Sequence, residues 1–368
     1  MPTESSDDKR FAGSHKPLFE FLHTTISCQL TVQNDMRAVL IKDGKGPAEN
    51  LHIGEAPKPS LRSTEVLVKV KAFGLNRMDI SQREGNYPPP PGASSILGVE
   101  FSGTISEVGQ DVSNWKVGDE VFGLAGGGAY AEFIAVNQTH IIRKPPHLTW
   151  PEAVSIPENF LTAFQALIVI GQLKENENAL IHAGASGVGI AAIQLARAYG
   201  ARAVVATTST KEKIDWLINL PSGATHAANY KTQDFAAVVK EVTDNRGADV
   251  VIDFVGRTHF QKNVDAMAID GRMTILSLLS GAIVDSVNLL PILYKRLHIE
   301  GSTLRSRTLE YQANLIARFR QEVLAKITGE KGDGPIRTYI HKAKIQAAHR
   351  EMEENKNSAS GKIIAEIV

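Results

Sequence analysis

Residues 181–200 read IHAGASGVGIAAIQLARAYG. The apolar run NALIHA leads into a loop with glycine at 184, 187 and 189, after which Val188, Ala191, Ala192 and Leu195 recur at helical spacing. A strand that turns into a helix over small residues lets the backbone approach a ligand. The free N–H groups at the helix start then favour an anion. The spacing is a variant of the dinucleotide fingerprint G-x-G-x-x-G, with Ser186 where its middle glycine would stand. Glycines at a tight turn also occur for purely structural reasons, but here the required context is met: a strand before, a helix after and a βαβ unit around them. No Gly-Lys-Ser/Thr follows, so a P-loop for nucleotide hydrolysis is not supported.

Downstream, ARAVVATT, THAANY, ADVVIDFVG, RMTILSLLSG and LHIEGSTL read as further apolar strands with helical stretches such as KEKIDWLINL between them. Repeated βα units of this kind predict a doubly wound parallel sheet, an α/β Rossmann-type unit. The end of the second strand speaks to the choice of dinucleotide. NAD sites place an acid about 20 residues after the glycines to bond the ribose 2′-hydroxyl. Here that region is Thr207, Thr208, Ser209, Thr210, Lys211 and Lys213. Hydroxyls and lysines suit a 2′-phosphate, which an acid would repel, so NADPH is the expected cofactor. The alternative is a solvated helix start with ordinary Ser/Thr capping.

Upstream of residue 145 the pattern is short β runs broken by glycines. EVLVKVKAFG alternates Val66, Val68 and Val70 with other residues, and GVEFSGTISEVG, DEVFGLAGG and AYAEFIAVN continue the pattern. No helix-period stretch is read there. YPPPPG at 87–92 reads as a stiff extended loop.

The totals narrow the field further. The chain has 368 residues, 43% hydrophobic and 22% charged, which allows two domains with a core each. Lys+Arg and Asp+Glu are both 40, so no net field draws nucleic acid or an anionic membrane. The single cysteine, Cys28, excludes an internal disulfide and any zinc site built from several thiolates. No run approaching 20 apolar residues is read as a membrane span. Residues 1–35 are polar and aperiodic at first, and Glu4, Asp7, Asp8 and Glu20 argue against a presequence. They are expected to be an unstructured extension, with the folded body starting near Met36 and the cytoplasm as its compartment.

The blocks LNRMDISQREGNY, PPPGASSILG, KVGDEVFG, LTAFQAL, IHAGASGVGIAAIQL, KNVDAMAIDGR, LRSR and EENKNSASGKII stand in one order from about Met36 to Val368. In this the chain resembles the medium-chain dehydrogenase/reductase superfamily. Its alcohol dehydrogenases carry Gly-His-Glu, whose His ligates catalytic zinc, where this chain has Gly98-Val99-Glu100. Valine cannot ligate, and Cys28 lies outside the folded body. The resemblance is therefore to the zinc-free branch, the quinone oxidoreductases, zeta-crystallin among them, and no metal is expected. It implies a GroES-like, β-rich catalytic domain at 36–160, a Rossmann NADP-binding domain at 161–303, and a return of 304–368 to the first domain.

The resemblance also implies site residues. Asn76 and Tyr87 match cleft residues beside the nicotinamide, and Thr162 matches a residue near its amide. Tyr87 as a brace for the prolines, and Thr162 as an ordinary helix residue, stay open. With Gly184 and Gly189 in the turn, Gly187 and Val188 match the backbone at the pyrophosphate. Ser209, Lys213 and Tyr230 match the 2′-phosphate site, with a possible slip of one residue to Thr210. Val255, Leu279 and Ser280 match backbone contacts along the nicotinamide half. Two departures stand out: Gly256-Arg257 where the family has roughly Gly-Gly, and Ser358-Ala359-Ser360 before Gly361-Lys362, a longer turn that leaves a cofactor role for Lys362 open. His182 is expected to be packed rather than catalytic. The implied activity is NADPH-dependent reduction of a quinone, needing little acid catalysis and showing no obvious proton donor. The alternatives are a 2-alkenal or enone double-bond reductase, and a low-turnover NADPH-binding sensor or RNA-binding protein, a role zeta-crystallin shows the fold allows. A homodimer is expected.

Overall fold

In the computed structural model the described residues are 35–329, 334–354 and 360–367. Of the expected extension only Asp35 is among them, and Cys28, Ser358 and Ala359 lie outside. The strands of the first half are β1 (Asp35–Ile41), β2 (Leu51–Pro57), β3 (Glu65–Gly74), β4 (Glu100–Val108), β5 (Glu120–Leu124), β6 (Phe133–Asn137) and β7 (Ile141–Arg143). β8 (Asn178–Ile181), β9 (Ala203–Thr208), β10 (His226–Asn229), β11 (Ala248–Asp253), β12 (Met267–Ile275) and β13 (His298–Gly301) follow, then β14 (Ile340–Lys342) and β15 (Lys362–Glu366).

β8 to β13 form one six-stranded sheet in the order β10-β9-β8-β11-β12-β13, parallel throughout. The order reverses beside β8, so the crevice at the carboxyl ends of β8 and β11 is where such a sheet takes its ligand. β8, β9 and β11 are buried along their whole length, as strands covered on both faces must be. The helix Gly187–Ala198 follows β8, with Ile190, Ala191, Ala192, Ile193 and Leu195 buried.

β1 and β2 form a two-stranded sheet of their own, and a third sheet has seven strands in the order β14-β15-β3-β4-β5-β7, with β6 on β3. β15 pairs antiparallel with β3, setting Ile364 opposite Gly74, so the last strand of the chain completes a sheet begun by the first half. One core cluster joins Phe122, Leu124 and Ile142 of this sheet to Ile181 and Val204 of the parallel sheet and Ile190 of its helix Gly187–Ala198, through the helix Pro157–Phe164, whose residues are all buried.

Two features differ from the sequence reading. A helix, Arg77–Arg83, interrupts the β-rich half. It is short and mostly polar, so it shows no apolar period, and its start is fixed by the Asn76 N–H donating to Asp79 Oδ2 at 2.8 Å. The helical stretch Trp150–Ile170 has 21 residues and is long and apolar enough to cross a bilayer. Its apolar surface is used within the protein, where most of the span is buried.

Candidate functional site

The glycine turn closes β8 tightly. Ala183 takes a left-handed φ of 47°, a strained setting for a residue with a Cβ, and Gly184 N–H donates to Thr207 O at 2.8 Å. A Cβ on Gly189 would stand 2.3 Å from the Ala183 carbonyl oxygen, so glycine there lets the helix sit against the strand. Gly184 is packed likewise against the Ala206 side chain. Ser186, in place of the fingerprint glycine, caps the helix by accepting from Gly189 N–H at 3.1 Å. Gly361 reaches this turn from the end of the chain, its N–H donating to Ala185 O at 3.1 Å.

A cavity of about 630 Å³ opens along the carboxyl ends of the parallel strands. Of the residues singled out in the sequence, Asn76, Gly187, Val188, Ser209, Lys213, Tyr230, Val255, Leu279 and Ser280 line it. Gly184 and Gly189 lie beneath its floor as the packing glycines, and Tyr87 and Thr162 do not line it.

At one end Lys213 faces the cavity from the helix Lys211–Asn219, capped by Thr210. Among the described residues no carboxylate pairs with Lys213, and burial, with Lys231 nearby, lowers its ammonium pKa. Tyr230 stands across from His259, ring centres 5.6 Å apart. His259 Nε2 is buried without a hydrogen-bond partner among the described residues, and its pKa is lowered to about 4, first by burial and then by His182. Lys262 also lines this end. His182 is wholly buried between Thr207 Oγ1 at 2.9 Å and Asn263 Oδ1 at 2.7 Å, and burial lowers its pKa to about 4. It is packed, as expected.

Along the middle, Ser280 N–H and Oγ–H both donate to Val255 O at 2.8 Å, and Leu279 N–H donates to Phe254 O at 3.1 Å. Arg257 pairs outward with Asp285 and does not line the cavity.

At the far end Lys362 lines the cavity and is 3% exposed. Its Nζ lies 2.5 Å from Glu100 Oε1 and 2.5 Å from Asn76 Oδ1. Asn76 Nδ2 donates to Glu100 Oε1 at 2.8 Å, and Glu158 N–H donates to Glu100 Oε2 at 2.8 Å. Glu100 thus gathers Asn76, Lys362 and the helix Pro157–Phe164 around one carboxylate. Val99, beside it, is in the core, and among the described residues no three His, Cys, Asp or Glu side chains gather as metal ligands.

Behind this end lie groups that sequence reasoning missed. Glu158 is 4% exposed, Thr162 Oγ1–H donates to its Oε1 at 3.2 Å, and its pKa is raised to about 7 by burial first and Glu100 second. Pro157-Glu158 reads in sequence as an ordinary helix start. Asn159 lies under Gly187, where a Cβ would come within 2.6 Å of its amide. Arg305 sits with its guanidinium 5.6 Å from the Tyr87 ring centre. Only the LRSR block pointed to it.

The residues fit a dinucleotide. A glycine turn and helix start suit a pyrophosphate, a lysine without a paired carboxylate, with hydroxyls and aromatic rings, suits a phosphorylated adenosine, and a polar far end suits a nicotinamide.

Residues 62–146 match the alcohol dehydrogenase GroES-like domain and residues 187–321 the zinc-binding dehydrogenase family. The chain is 30% identical over 281 residues to human quinone oxidoreductase, covering 76% of this chain and 84% of that protein. It is 35% identical over 216 residues to the zebrafish (Danio rerio) synaptic vesicle membrane protein VAT-1 homolog, covering 59% of this chain and 44% of that protein's length. A Pseudomonas syringae quinone oxidoreductase superposes with TM-score 0.77 at 27% identity over 90% of this chain and all of that one. The CurK enoyl reductase superposes with TM-score 0.76 at 26% identity, over 91% of this chain and 99% of that one.

Proposed function

The chain belongs to the medium-chain dehydrogenase/reductase family, with the quinone oxidoreductases as relatives, and from that premise we propose that it is an NADPH-dependent, zinc-independent quinone reductase. As a member of this family it is an oxidoreductase that binds NAD(P)(H) and acts on a small molecule. The observation that carries the finer reading is Lys213. It faces the cavity from the helix Lys211–Asn219 beside Ser209 and Tyr230, with no carboxylate paired to it among the described residues.

In this reading Gly187 and Val188 hold the pyrophosphate with Gly184 and Gly189 supporting the turn, and Ser209, Lys213 and Tyr230 hold the 2′-phosphate. Val255, Leu279 and Ser280 flank the nicotinamide half. Asn76 borders the reacting end, with Tyr87 and Thr162 set back from the cavity. When bound, the reduced nicotinamide supplies a hydride. The protein supplies orientation and a pocket that excludes water. Residues 36–160 with 304–368 form the substrate-side domain and 161–303 the cofactor domain. The cytoplasm is the proposed compartment. A homodimer is proposed on the exposed apolar residues next to β13.

Titration with each cofactor tests the reading. NADPH should bind much more tightly than NADH. Lys213→Ala should remove about 1.5–3 kcal/mol of NADPH binding, as for a hydrogen bond to a charged group, and leave NADH nearly unchanged. Equal losses for both cofactors would contradict it. Reduction of an enone or 2-alkenal double bond is the second reading, favoured by the likeness to CurK enoyl reductase.

A further inference from the structure

A buried chain of hydrogen bonds runs from the cavity to the far side of the helix Arg77–Arg83. Asn76 lines the cavity and caps that helix, and its N–H donates to Asp79 Oδ2 at 2.8 Å. Tyr130 O–H donates to the same oxygen at 2.9 Å, and Gly98 N–H donates to Asp79 Oδ1 at 3.3 Å. The Tyr130 oxygen lies 3.4 Å from His349 Nε2, and His349 Nδ1 lies 3.1 Å from Arg83 Nη1. Arg83 also donates from Nε to Gly46 O at 2.8 Å and from Nη2 to Glu353 and Glu84. Asp79, Tyr130, His349 and Arg83 are all fully buried.

The direction of each bond follows from chemistry. A guanidinium only donates, so His349 Nδ1 accepts. Burial, with Arg83 beside it, lowers the His349 pKa to about 3, so the ring is neutral and its one proton sits on Nε2. Nε2–H then donates to the Tyr130 oxygen, and the Tyr130 proton is left for Asp79. The chain thus starts at a fixed cation and ends on a carboxylate that accepts from three donors. A proton on Oδ2 would face the Asn76 and Tyr130 donors, and one on Oδ1 would face the Gly98 N–H, so protonation costs this carboxyl at least one bond that it accepts.

That carboxylate places Asn76. From the position it fixes, Asn76 Nδ2 donates to Glu100 Oε1 at 2.8 Å and Asn76 Oδ1 accepts from Lys362 Nζ at 2.5 Å. We propose that Asp79 is the positioning residue of the reacting end: ionised, and kept so by the chain Arg83–His349–Tyr130, it holds Asn76 and with it Lys362 against the nicotinamide, and when protonated it releases them. This rests on the reading of the site as an NADPH-dependent reductase, and it adds the group that sets the acid limit of that site.

Several groups set the charge on Asp79. Burial disfavours the carboxylate and is the largest influence, while the Asn76 N–H, the Tyr130 hydroxyl, Lys362 from β15 and Arg305 beyond β13 favour it. Glu158 from the helix Pro157–Phe164 faces the same region, and Glu100 from β4 and Arg83 act on Tyr130. His349, from the helix Ile345–Glu354, is neutral. The balance leaves Asp79 with a pKa of about 6. The reacting end is therefore held above that value and released as pH falls through it.

Tyr130→Phe probes the chain without a cavity, because the ring packs on Phe73 with centres 4.4 Å apart and a Cβ on Gly98 would stand 2.4 Å from it. The test uses the full chain, Tyr130→Phe and Asp79→Asn. It reads the nicotinamide fluorescence of bound NADPH, or of NADH should NADPH not bind, and kcat with 1,4-naphthoquinone, each against pH. In wild type both should change through about pH 6, with kcat falling on the acid side. Tyr130→Phe removes a hydrogen bond to a charged group and should move both midpoints up by about one pH unit. Asp79→Asn should remove the step and lower kcat about tenfold to a hundredfold, with NADPH affinity within about twofold of wild type because the phosphates bind at the other end. Should Asp79→Asn not fold, the midpoints in Tyr130→Phe decide alone. No fluorescence step in wild type would overturn the proposal, as would midpoints that Tyr130→Phe leaves in place, which would assign the step to another acid, Glu158 first. A wild type that does not oxidise NADPH with naphthoquinone defeats the reductase reading, and the fluorescence midpoints still judge Asp79.

Discussion

Glu158 carries a stability cost whose sign can be worked out. An unfolded glutamate ionises near 4.5, whereas in the folded protein this one holds its proton to about 7. Between those values the native state binds more protons than the unfolded state, so stability is fully present below about 4.5 and is lost as pH rises through about 7. Asp79, raised to about 6 chiefly by burial, acts in the same direction. Glu158→Gln keeps an acceptor for Thr162 and cannot ionise. Relative to wild type it should gain on the order of 2 kcal/mol between about pH 5 and about pH 8, read as urea unfolding at each pH. A constant difference across that range would show that Glu158 is not a buried neutral acid. At this scale the sequence was legible where a residue's type and its local position both carry the chemistry. Lys213 and Ser209 could be named because hydroxyls and a lysine at a strand end suit a phosphate. Glu158 could not, because its raised pKa comes from burial and from Glu100, which lies far from it in the chain.

Among elements, β13 is the outermost strand of the parallel sheet and pairs only with β12 among the described residues. The segment before it exposes Ile283, Leu289, Leu290, Leu293 and Tyr294, with Leu293 69% and Tyr294 73% exposed. An open strand edge beside a run of exposed apolar side chains invites a second sheet edge, and a second copy would cover both. The protein should therefore run as a dimer at micromolar concentration in light scattering. Leu293→Asp combined with Tyr294→Asp should shift it to monomer with NADPH binding retained. A wild-type monomer at every concentration would contradict this. The strands of the parallel sheet were legible because apolar runs alternated with helical spacing. The helix Arg77–Arg83 was not, because it is short and its start depends on one Asn–Asp cap rather than on a period.

For the whole molecule, the return of the last strand is what makes one site out of two sheets. β15 joins β3, and in doing so sets Lys362 against Glu100 and Asn76 while Gly361 touches the glycine turn. No local pattern in LRSR or EENKNSASGKII encodes that pairing, which reached the reading only through the resemblance of the whole chain. The account predicts that chemistry at this junction runs on orientation and a nicotinamide, with Val99 where a zinc ligand would be needed. The most direct measurement is NADPH oxidation by the purified, chelator-treated full chain with 1,4-naphthoquinone, with NADH as the parallel cofactor. The account predicts rapid oxidation of NADPH, slow oxidation of NADH, and no change with chelator. No oxidation of NADPH by naphthoquinone, or an activity that disappears with chelator and returns with zinc, would contradict it.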